Sequence, residues 1–387
     1  FGMYKFAIKA VPFAIAAAFA AGTASAEDLV VKIGHVAPLS GGQAHYGKDN
    51  ENGAKLAIAD LNKSGIKIGG KTVKWVLVSE DDAADPKQGT AVAQKLVDEK
   101  VNGVVGHLNS GTTIPASKIY FDAGIPQITP SATNPKYAQQ GFKTAFRIIA
   151  NDNALGAGLA FYAADALKLK RVAVIDDRTA YGQGVAEVFK RTAQQKGMQI
   201  IDEQFTTDKA TDFMAILTSI KSKNPDAIFF GGMDPQAGPM LRQMKQLGIS
   251  AKFMGGDGIC TGELPKLAAG TMADDQVVCA EAGGIDDKDK AAVKAMEDFR
   301  AKFKKKFGAD VQIYAPYVYD ATNVMVAAME KAGSADPAKY LPVLAKTTGY
   351  KGVTGVISFD EKGDIKNGAL TLYTYKGGVK TSLGVVH

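Results

Sequence analysis

Short apolar runs and longer amphipathic stretches alternate along this chain, and the alternation runs twice. Leu29 to Ala37 (LVVKIGHVA), Val73 to Val78, Val101 to Gly106 and Ile125 to Ile128 read as strands. Gly47 to Asn62, the stretch from Asp85-Pro86 to Lys100, and Thr113 to Ala123 (begun near Pro115) read as helices. The second of these opens with an N-cap aspartate and a first-turn proline. Strands separated by helices of this length imply right-handed βαβ units and a parallel sheet covered on both faces. Arg147 to Asn151 looks like a crossing segment, and then the grammar restarts. Strands at Arg171 to Ile175, Gln199 to Phe205, Ala227 to Gly231 and Lys252 to Gly255 alternate with helices at Ala154 to Leu167, Gly182 to Lys196, Phe213 to Lys221 and Pro235 to Leu247. Two similar α/β lobes are expected, and 387 residues are enough for both.

The last third continues neither run cleanly. Val293, Met296, Phe299, Phe303 and Phe307 recur at spacings of three and four and make one apolar helix face. Lys302, Lys304, Lys305 and Lys306 occupy the other face, which reads as solvated because Glu297, Asp298 and Asp310 flank it. More helix follows at Tyr317 to Lys331 and Ala338 to Lys346, then strands at Val353 to Phe359 and Leu370 to Tyr375. This tail is expected to complete first one lobe and then the other. The first lobe would hold 27–147 and 279–352, the second 148–278 and 353–387.

Residues 1–26 read as an export leader. Lys5 and Lys9 form a basic region, Val11 to Ala21 a short apolar core, and Ala24-Ser25-Ala26 a small-x-small cleavage signal. Cleavage is expected after Ala26, delivering the chain to a bacterial periplasm. The leader carries two of the six excess positive charges. The remainder shows no basic and aromatic stripe of the kind nucleic acid requires. A mean hydropathy of −0.06 argues against a polytopic membrane protein. Cys260 and Cys279 are spaced for no zinc motif; they suit one disulfide in an oxidising compartment, with two buried thiols as the alternative.

Ligands of open α/β sheets bind beyond the carboxyl ends of the strands. That rule selects the loops at 106–113, 129–133, 176–182, 231–235 and 255–258. The first two are rich in hydroxyls and open onto helix N-termini, which favour an anion. A carboxylate could take the Ser110 and Thr133 hydroxyls and N–H groups near Gly111 and Thr112; the alternative is that these residues only cap helices. Asp257, between glycines, could hold an ammonium or could form an Asx-turn. Tyr46 and Tyr181 could wall a cleft or pack in the interior. His107 could reach the cleft or be a satisfied structural histidine, and Phe229 and Phe230 read as core. GDGICTG and YGQGVAE both fail the dinucleotide-binding glycine pattern, and no P-loop, GxSxG elbow or HExxH is present. No enzyme, cofactor or metal site is therefore expected.

In these loops the chain resembles the periplasmic leucine/isoleucine/valine-binding proteins of ABC importers. The resemblance spans the segment after the leader and rests on motifs in joint order. They are SGGQAHYGKDNENGAKLAIADLN at 40–62, DDAADPKQ at 81–88, GHLNSGTTIPAS at 106–117, ITPSATNP at 128–135, AYGQG at 180–184, FFGGMDPQAGPMLRQ at 229–243, FMGGDG at 253–258 and FDEKGD at 359–364. It implies a type I periplasmic binding protein, with two doubly wound parallel-sheet lobes on a three-crossover hinge. It also implies a monomer that captures an L-amino acid and delivers it to an inner-membrane ABC permease; a sensing domain of the same fold feeding a regulator is the alternative. By resemblance, Ser110, Ser131 and Thr133 hold the amino-acid backbone, Asp257 holds the ammonium, and Tyr46 and Tyr181 line the cleft. The family disulfide falls on Ala84 and Asn109 and is absent. Asn109 instead places an amide near the ligand side chain, Met233 replaces a family tyrosine, and Asp257 is shorter than the usual glutamate.

Overall fold

The computed structural model of the protein describes Met3 and residues 28–386. Apart from Met3, the leader lies outside the described residues, as does its cleavage site.

The first run forms a sheet of six strands in the order β2-β3-β1-β4-β5-β6. It contains β1 (Leu29–Ala37), α1 (Ala44–Ser64), β2 (Lys67–Ile68), β3 (Lys71–Asp81), α2 (Pro86–Asp98), β4 (Gly103–Gly106), α3 (Ser110–Asp122), β5 (Gln127–Thr129), α4 (Lys136–Gln139) and β6 (Ala145–Arg147). All pairings are parallel except β2 with β3. The N-cap at Asp85 is real, its carboxylate accepting the Gln88 N–H at 2.8 Å. Helix α3 starts at Ser110, earlier than Thr113, because Pro115 is accommodated inside the first turns.

The second run supplies α5 (Asp152–Phe161, ending in a π-turn to Ala166), β7 (Arg171–Asp176), α6 (Ala180–Gln195), β8 (Gln199–Phe205), α7 (Met214–Lys221), β9 (Ala227–Gly231), α8 (Asp234–Gln246), β10 (Lys252–Gly255), α9 (Leu264–Leu267) and β11 (Val277–Glu281). Then come α10 (Lys290–Phe307), α11 (Ala315–Ala332), α12 (Pro337–Ala345), β12 (Tyr350–Gly352), β13 (Gly355–Ile357), β14 (Leu370–Lys376) and β15 (Val379–Val386). The second sheet has the order β15-β14-β11-β10-β9-β7-β8. Phe229 and Phe230 are fully buried at its centre, Phe229 stacked on Phe189 with ring centroids 4.0 Å apart.

Two expected boundaries move. The break placed before Cys279 falls inside β11, a wholly buried strand of the second sheet that the loop signals around it concealed. The strand expected at Val353 pairs only with β12, and the Asp320 carboxylate of α11 accepts the Val353 and Thr354 N–H groups at 3.0 and 2.8 Å, which holds that hairpin on the first lobe. Helix α10 buries Phe299 and Phe303 against Leu56 of α1. Its lysines face solvent, with Lys304 paired to Asp310.

Three crossovers join the lobes: after β6, after β11 and between β13 and β14. Arg147, the last residue of β6, opens the first and is fully buried. Its Nε donates to Asp364 of the third crossover at 2.8 Å, and its Nη1 to the Asn134 carbonyl at 2.8 Å.

Candidate functional site

Strand order reverses beside β1 and β4 in the first sheet and beside β7 and β9 in the second. Such switch points open a crevice at the strand ends, and here the two crevices face each other. A small cavity lies between them. The first lobe lines it with Leu108, Asn109 and Ser110 after β4, Ser131 and Thr133 after β5, and Tyr314 before α11; the second contributes Tyr181, Met233 and Asp257.

The first-lobe wall is built by local turns. The Thr129 hydroxyl donates to the His107 carbonyl at 2.9 Å and accepts the Ala132 N–H at 2.9 Å, which fixes the 129–133 turn. Thr133 Oγ1 is buried with no partner. Ser110 Oγ accepts the Asn134 N–H at 3.2 Å, which leaves its proton to donate. No side chain caps α3; the Thr112 N–H donates to the Asn109 carbonyl at 3.2 Å, which leaves the Ser110 and Gly111 N–H groups as the first-turn donors.

Asp257 supplies the opposing charge. It is 1% exposed, and burial pushes its carboxyl up to about 6, with the Tyr314 and Tyr181 hydroxyls drawing it back. Its Oδ2 accepts from Tyr314 at 2.8 Å, and its Oδ1 is buried and unpaired. The carboxylate thus lines the cavity. The flanking glycines are required by close approach. A side chain at Gly256 would come within 2.6 Å of the Tyr181 hydroxyl, and one at Gly258 within 2.4 Å of the Gly232 carbonyl.

Cys260 and Cys279 are joined by a disulfide, which ties the Asp257 loop to β11. The Tyr375 hydroxyl, donating to the Thr261 carbonyl at 2.7 Å, holds the same loop from β14.

The expected residues do not all converge. Gly111 lies on an outer chamber, which shares Asn109, Tyr181 and Met233 with the cavity. Thr112 turns away: its hydroxyl donates to the Asn109 carbonyl at 3.2 Å, and its side chain packs on Gly89 of α2. Tyr46 sits behind the cavity, where its hydroxyl donates to the Gly258 carbonyl and accepts the Asp234 N–H at 3.2 Å, bridging the lobes. His107 is structural, held between Asp82 at 3.2 Å and Tyr120 at 2.9 Å.

Sequence reasoning missed Tyr314, because a tyrosine nearly sixty residues beyond Asp257 gives no local sign of reaching it. Asp49 of α1 places it there, accepting the Gln312, Tyr314 and Ala315 N–H groups at 2.8, 2.9 and 3.0 Å. The one available signal was the run Asp49-Asn50-Glu51-Asn52, four polar residues that α1 buries. Asp152 was missed too. It is fully buried, neither carboxylate oxygen has a hydrogen-bond partner, and burial pushes its carboxyl up to about 8.

A larger hollow lies against the crossovers, lined in part by Ile149, Tyr317 and Ile357. None of its lining side chains carries a buried unpaired polar atom, whereas the interlobe cavity has three: Asn109 Oδ1, Thr133 Oγ1 and Asp257 Oδ1. No helix among the described residues is long and apolar enough to cross a membrane, and no cluster of metal-ligating side chains occurs among them.

Two lobes closing on a small polar cavity about a triple crossover define a type I solute-binding architecture. The chain belongs to the periplasmic binding protein family, whose model matches residues 30–380. It is 36% identical over 365 residues to the Leu/Ile/Val-binding protein homolog 1 of Brucella abortus, covering 94% of this chain and 95% of that one. It is 37% identical over 345 residues to the leucine-, isoleucine-, valine-, threonine-, and alanine-binding protein of Pseudomonas aeruginosa, covering 89% and 90%. Among solved structures it is similar to the leucine-binding protein LivK of Thermotoga maritima (TM-score 0.83, 28% identity, 92% and 98% covered). It is also similar to the branched-chain amino acid substrate-binding protein LivJ of Streptococcus pneumoniae in complex with isoleucine (TM-score 0.82, 27% identity, 92% and 98% covered).

Proposed function

We propose that this protein captures a small neutral L-amino acid, of the branched-chain group for which its relatives are named, and delivers it to an inner-membrane ABC permease. The observation that carries the reading is the pairing of unpaired groups across the cavity. Ser110, Thr133 and the start of α3 offer donors on one lobe, and the Asp257 Oδ1 offers an acceptor on the other. That is the complement of a zwitterion, with the α-carboxylate on the first lobe and the ammonium on Asp257 and the Ser131 carbonyl. Charge-assisted hydrogen bonds are strongest in a dry, closed site. A ligand that touches both lobes favours the closed arrangement, because only differential contact can shift a conformational equilibrium. The protein acts by binding, without turnover. It is exported with its leader cleaved after Ala26, and it works as a monomer without cofactor or nucleic acid.

A thermal-denaturation panel of the L-amino acids tests this directly. A ligand at a hundred-fold excess over its Kd stabilises the folded state by about 2.7 kcal/mol. Small aliphatic amino acids should raise the midpoint; unchanged midpoints across the whole panel would overturn the reading.

A further inference from the structure

With the zwitterion assigned to Ser110, Thr133 and Asp257, the rest of the cavity must receive the ligand side chain. Leu108 and Met233 make that end apolar, and Asn109 adds an amide. The amide is held in place: its Nδ2 donates to Gln43 Oε1 at 2.7 Å, while its Oδ1 is buried without a partner. Gln43 is itself anchored at the start of α1, where its carbonyl accepts the Tyr46 and Gly47 N–H groups.

We propose that Asn109, oriented by Gln43, makes the protein prefer a side chain carrying a hydroxyl beside aliphatic carbon, as in threonine, over the all-carbon side chain of the same shape. The proposal rests on the amino-acid reading given above. An apolar side chain strips water from the Asn109 amide and returns nothing, so the amide edge stays unpaired. A hydroxyl is both donor and acceptor and can satisfy whichever edge the amide presents. A site built to hydrogen-bond a hydroxyl rejects the analogue lacking it more strongly than an apolar pocket rejects an added one. The methyl of the same side chain keeps its contact with Leu108 and Met233.

Threonine and valine share a shape and differ by a hydroxyl for a methyl, so calorimetric titration of the full chain with L-threonine, L-valine and L-alanine isolates the effect. Threonine should bind at least ten-fold more tightly than valine. Asn109→Leu should erase or invert that ratio. Gln43→Ala should lower it, because the Asn109 amide is then free to turn. The thermal midpoint without ligand reports whether each variant is folded. Valine binding as tightly as threonine to the wild-type protein would overturn the preference while leaving the amino-acid reading intact. A ratio that survives in folded Asn109→Leu would overturn the assignment to Asn109. Absence of threonine binding would overturn the preference, while the amino-acid reading falls only if the whole thermal panel is silent as well.

Discussion

At the scale of the residue, Asp257 concentrates the charge of the site. Asp257→Asn preserves its shape and removes its charge, leaving a bound ammonium without a counter-ion; calorimetry should show a loss of about 2–5 kcal/mol. The same carboxyl sets a pH dependence. Raised to about 6 by burial, it is ionised at neutral pH and protonates below that. Amino-acid affinity should hold above pH 6 and fall by roughly ten-fold per unit below it, and Asp257→Asn should flatten the profile. Asp152 predicts a separate effect on stability. Its folded-state value of about 8 lies above its ordinary 3.8, so the folded protein holds the extra proton between them. Stability in the absence of ligand should therefore fall as pH rises from 6.5 to 8, by up to about 1.4 kcal/mol per unit. Asp177, Asp257 and Asp320, each raised to about 6, add only a waning fall of the same sign over that interval, and His35, lowered to about 4 in the folded state, opposes it only near pH 6.5, where the unfolded imidazole titrates. Denaturant titrations of Asp152→Asn should lose this slope, since an amide cannot ionise.

At the scale of the element, the segment carrying Asp257 has little regular structure of its own beyond one 3₁₀ turn. It is shaped from outside by the disulfide, by Tyr375 and by the Lys380 ammonium, which donates to the Cys260 carbonyl at 3.0 Å. The bridge closes a loop of sequence separation 19. Loss of such a closure costs about 3 kcal/mol in the chain-entropy view. Cys260→Ser should lower unfolding free energy by that order, read by denaturant titration, and should weaken ligand binding because the Asp257 loop loses its tie to β11. The first crossover makes a parallel case. Arg147 joins the turn that follows β5, through the Asn134 carbonyl, to Asp364 of the third crossover. This explains why a fully buried cation sits in what the sequence offered only as a crossing segment.

At the scale of the molecule, the lobes touch directly as well as across the cavity. Tyr46 bonds to Gly258 and Asp234, His45 Nε2 lies 2.9 Å from the Asp234 carboxylate, and Asn134 Nδ2 donates to the Ala180 carbonyl at 2.7 Å. Separation of the lobes would break these bonds. Tyr46→Phe removes two of them without changing the ring. It should weaken ligand affinity by about 1–2 kcal/mol, and small-angle scattering should show a larger mean radius in the absence of ligand. The outcome that would contradict this is wild-type affinity with an unchanged radius.

The sequence by itself determined the two-lobed α/β plan, because hydrophobic periodicity and turn chemistry are local: β1 and the N-cap at Asp85 lie where the residues place them. It determined most of the cavity wall as well, since ligand loops follow strand ends and motif order identified Ser110, Ser131, Thr133, Tyr181 and Asp257. The tertiary structure alone decided what depends on contacts between distant segments. The placement of Tyr314 over Asp257 by Asp49, the bridging role of Tyr46 and the joining of Cys260 to Cys279 are such contacts. So is the membership of β11 in the second sheet, because a strand's neighbours are chosen by the packing of the whole chain and not by its own five residues.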